Sequence, residues 1–223
     1  DFIRAEALAR MQQEARDGQP KAFFCAQNHS VYLSPPDPAY SANHPRNREV
    51  ISSKGCICDD DVAEHSPLRA LYDAPGFRDF VRGVTGQAEL HPYADPLSSI
   101  NIHYAGRGQE LGWHFDNSSF AITLLIEKPD AGSRFEYVRD FRDADAGEMN
   151  FDGVGGLLDG EIEPQVLQME PGALVLFRGR NSIHRVSPNE SDKTRMLAVL
   201  AYNSEPGIEL SENARMTFYG RLG

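Results

Sequence analysis

Seven histidines occur in the 223-residue chain, and one of them stands two residues ahead of an aspartate, in Gly112-Trp113-His114-Phe115-Asp116. Side chains of extended backbone alternate with a period of two, so His114 and Asp116 project from one face and can chelate a single ion. A second histidine, His184, opens the β-like stretch His184-Arg185-Val186, just beyond the apolar run Ala173-Leu174-Val175-Leu176-Phe177. Two imidazoles and one carboxylate are the facial donor set of non-haem Fe(II) chemistry, which leaves adjacent coordination positions open. Further on, Arg195 heads the apolar run Met196-Leu197-Ala198-Val199-Leu200. A guanidinium in such a strand is costly to bury without an acid, and its planar fork matches a carboxylate. An ordinary ion pair with one of the 33 acidic side chains is the alternative role for Arg195.

Around these residues the sequence predicts N-terminal helices packed on a C-terminal antiparallel β-core. Phe2 to Arg16 has the spacing of an amphipathic helix, with Ile3, Leu8, Met11 and Ala15 on one face. The proline-rich stretch Ser34 to Pro45 reads as a long loop. Ser66, with Pro67 after it, caps a helical region that runs to Thr85 and breaks at Pro75-Gly76. From about Ile100, short β-rich runs separated by Gly, Asp and Pro have sandwich or barrel spacing. The predicted strands are Ser98–Tyr104, Ala121–Ile126, Phe135–Val138, Gln165–Met169, Ala173–Phe177, His184–Val186 and Arg195–Tyr202. The acidic, glycine-rich stretch from Asp143 to Glu163 reads as a loop excursion. The expectation is one domain over 1–223, with helices and a lid loop in 1–97 and the β-core in 98–223.

Composition narrows the function classes. Lys+Arg 22 against Asp+Glu 33 gives a net charge of -11, the opposite of the balance that binds nucleic acid or an anionic membrane. No apolar run approaches the ~18 residues of a membrane span. Cys25, Cys56 and Cys58 lack the spacing of a structural zinc site, and reduced thiols of a cytoplasmic protein are the expectation.

The ordered set Tyr104, His114-x-Asp116, Pro171-Gly172-Ala173-Leu174-Val175-Leu176-Phe177, His184-Arg185-Val186 and Arg195 resembles the Fe(II)/2-oxoglutarate-dependent dioxygenases. The resemblance implies a mainly β fold with flanking helices around a double-stranded β-helix (jelly-roll, cupin-like) core. It implies Fe(II) held by His114, Asp116 and His184, with 2-oxoglutarate and dioxygen as cosubstrates and Arg195 on the distal carboxylate of 2-oxoglutarate. Gly112-Trp-His-Phe-Asp-Asn117, Leu176-Phe-Arg-Gly-Arg-Asn181, Leu200-Ala-Tyr-Asn203 and Met216-Thr-Phe-Tyr-Gly-Arg-Leu222 look like the BesD/HalD group of free amino-acid halogenases and hydroxylases. The group's halogenases have a glycine or similarly small residue where this chain has Asp116, so the resemblance implies hydroxylation of a free amino acid, a cationic one such as lysine or arginine above all.

Further candidates surround the motif. Tyr104, at a spacing before His114 like that of a cosubstrate-contacting tyrosine in prolyl-hydroxylase relatives, and Asn101 and His103 are candidate cosubstrate contacts, with a core-packed position as the equal alternative for Tyr104. Strand alternation puts Asn101 and His103 on one face and Tyr104 on the other, so the three cannot all face one metal. Trp113 alternates away from His114, which favours packing. For the substrate, Asn117 and Asn203 are the preferred polar contacts, and Arg46, Arg48 and Arg78 are candidate partners of a carboxylate. Two alternatives stay open: a same-fold oxygenase of a peptidyl side chain or other small metabolite, and a non-catalytic cupin-like metal-binding module.

Overall fold

The computed structural model describes residues 2–223. Its centre is a ten-stranded, curled antiparallel sheet of jelly-roll character, flanked by five α-helices. In chain order the strands are β1 (Phe23–Ser30), β2 (Glu49–Ile57), β3 (Ile100–Ala105), β4 (Leu111–His114), β5 (Ala121–Glu127), β6 (Phe135–Val138), β7 (Gln165–Leu167), β8 (Leu174–Phe177), β9 (Ile183–Val186) and β10 (Arg195–Leu200). They are ordered β7-β6-β9-β4-β2-β3-β10-β5-β8, and β1 pairs with β2. Among the described residues no helix is long and apolar enough to cross a membrane.

Alternation along the central strands divides the molecule into two layers. Ile100, Ile102 and Tyr104 of β3 and Met196, Ala198 and Leu200 of β10 join one apolar core with Met11 and Ala15 of α1 (Ala5–Gly18), Leu68 and Tyr72 of α2 (Pro67–Asp73) and Phe77 and Val81 of α3 (Pro75–Thr85). The intervening residues Asn101, His103, Arg195, Leu197 and Val199 point the other way, into the concave side of the sheet. The region from Ser66 breaks as expected: the Ser66 hydroxyl accepts from Leu68 N, and Ala74-Pro75 separates α2 from α3.

Three expected features differ. Residues 1–97 supply two strands as well as helices, and β2 lies inside the sheet, pairing with β1, β3 and β4, so the sheet crosses the expected division at 97. The stretch expected as a loop excursion contains α4 (Phe151–Leu158), which buries Val154 and Leu157 and is capped by the left-handed Asn150, whose side chain accepts from Gly153 N. A fifth helix, α5 (Glu212–Tyr219), returns to the sheet and buries Tyr219 beside Cys56, Cys58 and Leu97. All three cysteines are free, and burial pushes the Cys56 and Cys58 thiols up to about 12.

Candidate metal centre

In the β4–β9 ladder His114 and His184 are directly opposed, so both imidazoles project from one face at one level, with ring centroids 4.1 Å apart. Beyond the end of β4 the chain stays extended because Phe115 N donates to the Val31 carbonyl and Asp116 N to the Gly179 carbonyl. Asp116 therefore reaches the same face as His114. Its Oδ1 lies 3.6 Å from Nε2 of His114 and 3.6 Å from Nε2 of His184.

The hydrogen-bond pattern aims three ligand atoms at one point. His114 Nδ1 lies 2.8 Å from the Gly112 carbonyl and His184 Nδ1 lies 3.1 Å from the Ser182 carbonyl. A carbonyl only accepts, so each Nδ1 carries a hydrogen and each ring turns its Nε2 toward Asp116. Burial lowers His184 to about 4, which keeps it neutral near pH 7. Burial alone would raise the Asp116 carboxyl, but the surrounding His114, His184 and Lys54 hold it below its ordinary value. Its Oδ2 is buried without a hydrogen-bond partner. Three converging acceptors and an orphaned carboxylate oxygen fit a divalent cation, and His114, Asp116 and His184 form a possible metal triad.

A supporting shell lies behind the triad. Gly112 N donates to the Ser52 hydroxyl, and the Ser52 hydroxyl sits 2.6 Å from His29 Nε2. His29 Nδ1 is against the Ser30 carbonyl, so the serine donates to the ring. The His29 ring stands edge-on to His114, with 6.3 Å between centroids. Neither His29 nor Ser52 was expected from sequence. Their roles depend on the β1–β2–β4 pairing, and no local motif marks them.

The other expected residues divide by which way their strand turns them. Arg195 is 6 % exposed and forms no hydrogen bond or ion pair with any described residue; burial lowers it to about 10. His103 lies in the same concave interior, held well below its ordinary value by burial and by the charges of Lys54 and Arg195. Asn101 also lines that interior, but its amide donates to the Leu97 and Ile100 carbonyls and its oxygen accepts from Tyr219. The fold therefore employs it already. Tyr104 is a correction: it lies on the helix-packed face, fully buried, donating its hydroxyl to the Ala15 carbonyl 2.8 Å away. Alternation excludes it from the concave side. Trp113 is buried with the Arg185 guanidinium 4.7 Å over its ring, a packing position.

Of the expected substrate contacts, Asn117 is exposed on the loop after the motif. Asn203 bridges to His91, and its Nδ2 is buried without a partner. Arg48 is a correction, because it is engaged elsewhere; Arg46 is engaged through Nη2, with its Nη1 buried and without a partner. Arg46 donates to the Pro35 carbonyl and lies over Tyr32, while Arg48 pairs with Asp159 at 2.8 Å. The expected lid is pinned as well. Asn47 exchanges hydrogen bonds with Asp37 and donates to the Tyr40 carbonyl, and Tyr40 and His44 pack on Phe151.

A buried metal triad at the mouth of a jelly-roll, with a partnerless arginine inside it, is the architecture of the 2-oxoglutarate/Fe(II) oxygenase fold. Solved structures with that fold include a 2OG-Fe(II) oxygenase-family oxidoreductase from Burkholderia pseudomallei (13% identity, TM-score 0.56, 93% of this chain and 84% of that one). The α-ketoglutarate-dependent epimerase SnoN of nogalamycin biosynthesis is similar at 12% identity (TM-score 0.59, 90% and 75% covered). EctD from S. alaskensis matches at 17% identity (TM-score 0.53, 95% and 76% covered). A search of the curated proteins returned no significant match. The family model for halogenase D matches residues 39–217, and the chain belongs to that family.

Proposed function

We propose that the protein is an Fe(II)/2-oxoglutarate-dependent hydroxylase of a free amino acid. The observation that carries this reading is Asp116, whose carboxylate faces both histidine Nε2 atoms at 3.6 Å. A third protein ligand fills the position that the resemblance leaves to a halide in enzymes with glycine there. His114, Asp116 and His184 would hold Fe(II), and Arg195 would take the distal carboxylate of 2-oxoglutarate. When bound, Fe(II), 2-oxoglutarate and dioxygen supply the oxidising power: one C–H bond becomes C–OH while the cosubstrate loses carbon dioxide and becomes succinate.

The chain's own share is binding, orientation and exclusion of water. The concave interior holds a cavity of ≈ 210 Å³, lined by Lys54, Asn101 and His103 and, further along, by Tyr93, Phe120 and Tyr202. Arg78 lies over the Tyr202 ring, and both Arg78 Nε and Asn203 Nδ2 are buried without partners. These two donors suit the carboxylate of an amino acid. Support for a cationic substrate comes from the net charge of -11. The free thiols fit cytoplasmic residence.

The test is incubation with Fe(II), 2-oxoglutarate, ascorbate and a panel of amino acids, followed by mass spectrometry. Substrate-stimulated succinate with a product one oxygen heavier is expected from a basic amino acid. Absence of stimulated succinate with every amino acid overturns the proposal, and a chlorinated product in chloride overturns the hydroxylase assignment.

A further inference from the structure

Arg195 has a basic neighbour, Lys54, that makes no contact with the triad or its supporting shell closer than a through-space charge interaction. Lys54 belongs to β2, where Cys56 pairs with His103 and Gly55 with Tyr104. One step further along that register Lys54 comes beside Ala105, and Ala105 pairs with Arg195 in the next ladder. Lys54, Ala105 and Arg195 thus form one cross-strand row on the concave face. Two strand spacings put the outer backbones about 10 Å apart. The residue between them carries only a methyl group, so both long side chains have room to converge above it.

Neither cation has an ion-pair partner among the described residues. The Lys54 ammonium donates to His103 Nδ1 at 3.1 Å and lies 5.2 Å over the Phe218 ring. His103 is neutral in that contact, since a protonated imidazole has no acceptor to offer. The structure therefore holds a half-buried lysine and a buried arginine in one row, with a neutral acceptor fixing the lysine. Uncompensated buried charge is expensive, and the arrangement is relieved by an anion bound between the two.

We propose that Lys54 is a second cationic anchor for the distal carboxylate of the 2-oxo dicarboxylate cosubstrate, gripping it jointly with Arg195 across Ala105. The inference rests on the oxygenase reading and deepens it: selection for a dicarboxylate is shared between two strands, β2 and β10. A 2-oxo acid of the same chain length without the distal carboxylate gains nothing from Lys54.

Calorimetric titration of the anaerobic Fe(II)-loaded protein with 2-oxoglutarate and, separately, with 2-oxopentanoate tests this. Wild-type protein is expected to prefer 2-oxoglutarate. Lys54→Met is expected to weaken 2-oxoglutarate by roughly 10- to 100-fold, as loss of a charged hydrogen bond does, while leaving 2-oxopentanoate unchanged. Lys54→Gln, which keeps a donor for His103, is the second variant and should show the same selective loss, whereas Lys54→Arg should recover most of the affinity. Equal weakening of both acids, or unchanged 2-oxoglutarate binding in the Met and Gln variants, overturns the proposal. Loss of preference in Arg195→Met but not in the Lys54 variants overturns the Lys54 role alone, and a wild type without preference overturns the oxygenase reading with it.

Discussion

Gly179 and Asp116 are in direct backbone contact: the Gly179 carbonyl accepts from Asp116 N at 3.0 Å, and a Cβ built on Gly179 would collide with the Asp116 carboxylate. The same Cβ would come within 2.8 Å of His184 Cε1. The glycine is required by this close approach, which lets the turn before β9 support the third ligand. Gly179→Ala should therefore displace the carboxylate and weaken metal binding by roughly 10- to 100-fold, the usual cost of disturbing a ligand's support. Anaerobic equilibrium dialysis with Fe(II) measures this, and unchanged affinity would show that the carboxylate is not a ligand.

Ser52→Ala removes the link between His29 and the Gly112 amide. It leaves a buried N–H and a buried ring nitrogen unpaired, at a cost of about 1–3 kcal/mol each. Gly112 also carries the carbonyl that orients His114, so the variant should lose metal affinity along with stability. Chemical unfolding and metal titration of one preparation separate the two effects; a variant that loses neither removes Ser52 from the supporting shell.

Three histidines whose charged form burial disfavours set the acid sensitivity of the metal-free protein: His29, His103 and His184. Burial lowers His184 from 6.5 to about 4 and also lowers His29 and His103. The unfolded chain takes up these protons near pH 6.5 while the folded chain does not, so the unfolded state binds more protons in that interval. Stability should fall as pH drops below about 6.5, by up to about 1.4 kcal/mol per pH unit for each histidine, and the His184 contribution should level off below about 4. Urea midpoints from about pH 7.5 down to about pH 5 test this, and a flat profile would contradict it.

Tyr104→Phe deletes only the hydroxyl bonded to Ala15. The expected loss is about 1 kcal/mol of stability, with 2-oxoglutarate affinity unchanged. Weakened cosubstrate binding at intact stability would return Tyr104 to the site.

The metal triad was legible in the sequence because it rests on strand alternation, a local property. So did the opposition of Tyr104 to Asn101 and His103 across β3, which places the tyrosine hydroxyl in the helical layer. The strand β2 was not legible. Its segment Glu-Val-Ile-Ser-Ser-Lys-Gly-Cys-Ile faces a polar interior with Ser52 and Lys54, so it lacks the apolar alternation of a strand over a greasy core. Helix α4 was hidden by its three glycines, and it forms because Val154 and Leu157 find a core made by distant segments. Arg48 was indistinguishable from a ligand-binding arginine until Asp159 was brought against it.

The most direct test of the account is the visible absorption of the anaerobic protein on addition of Fe(II) and then 2-oxoglutarate. The account predicts a weak charge-transfer band that appears only with both present and is abolished by His114→Ala and by Asp116→Ala. No band from the wild-type protein, or an unchanged band from either variant, would contradict it.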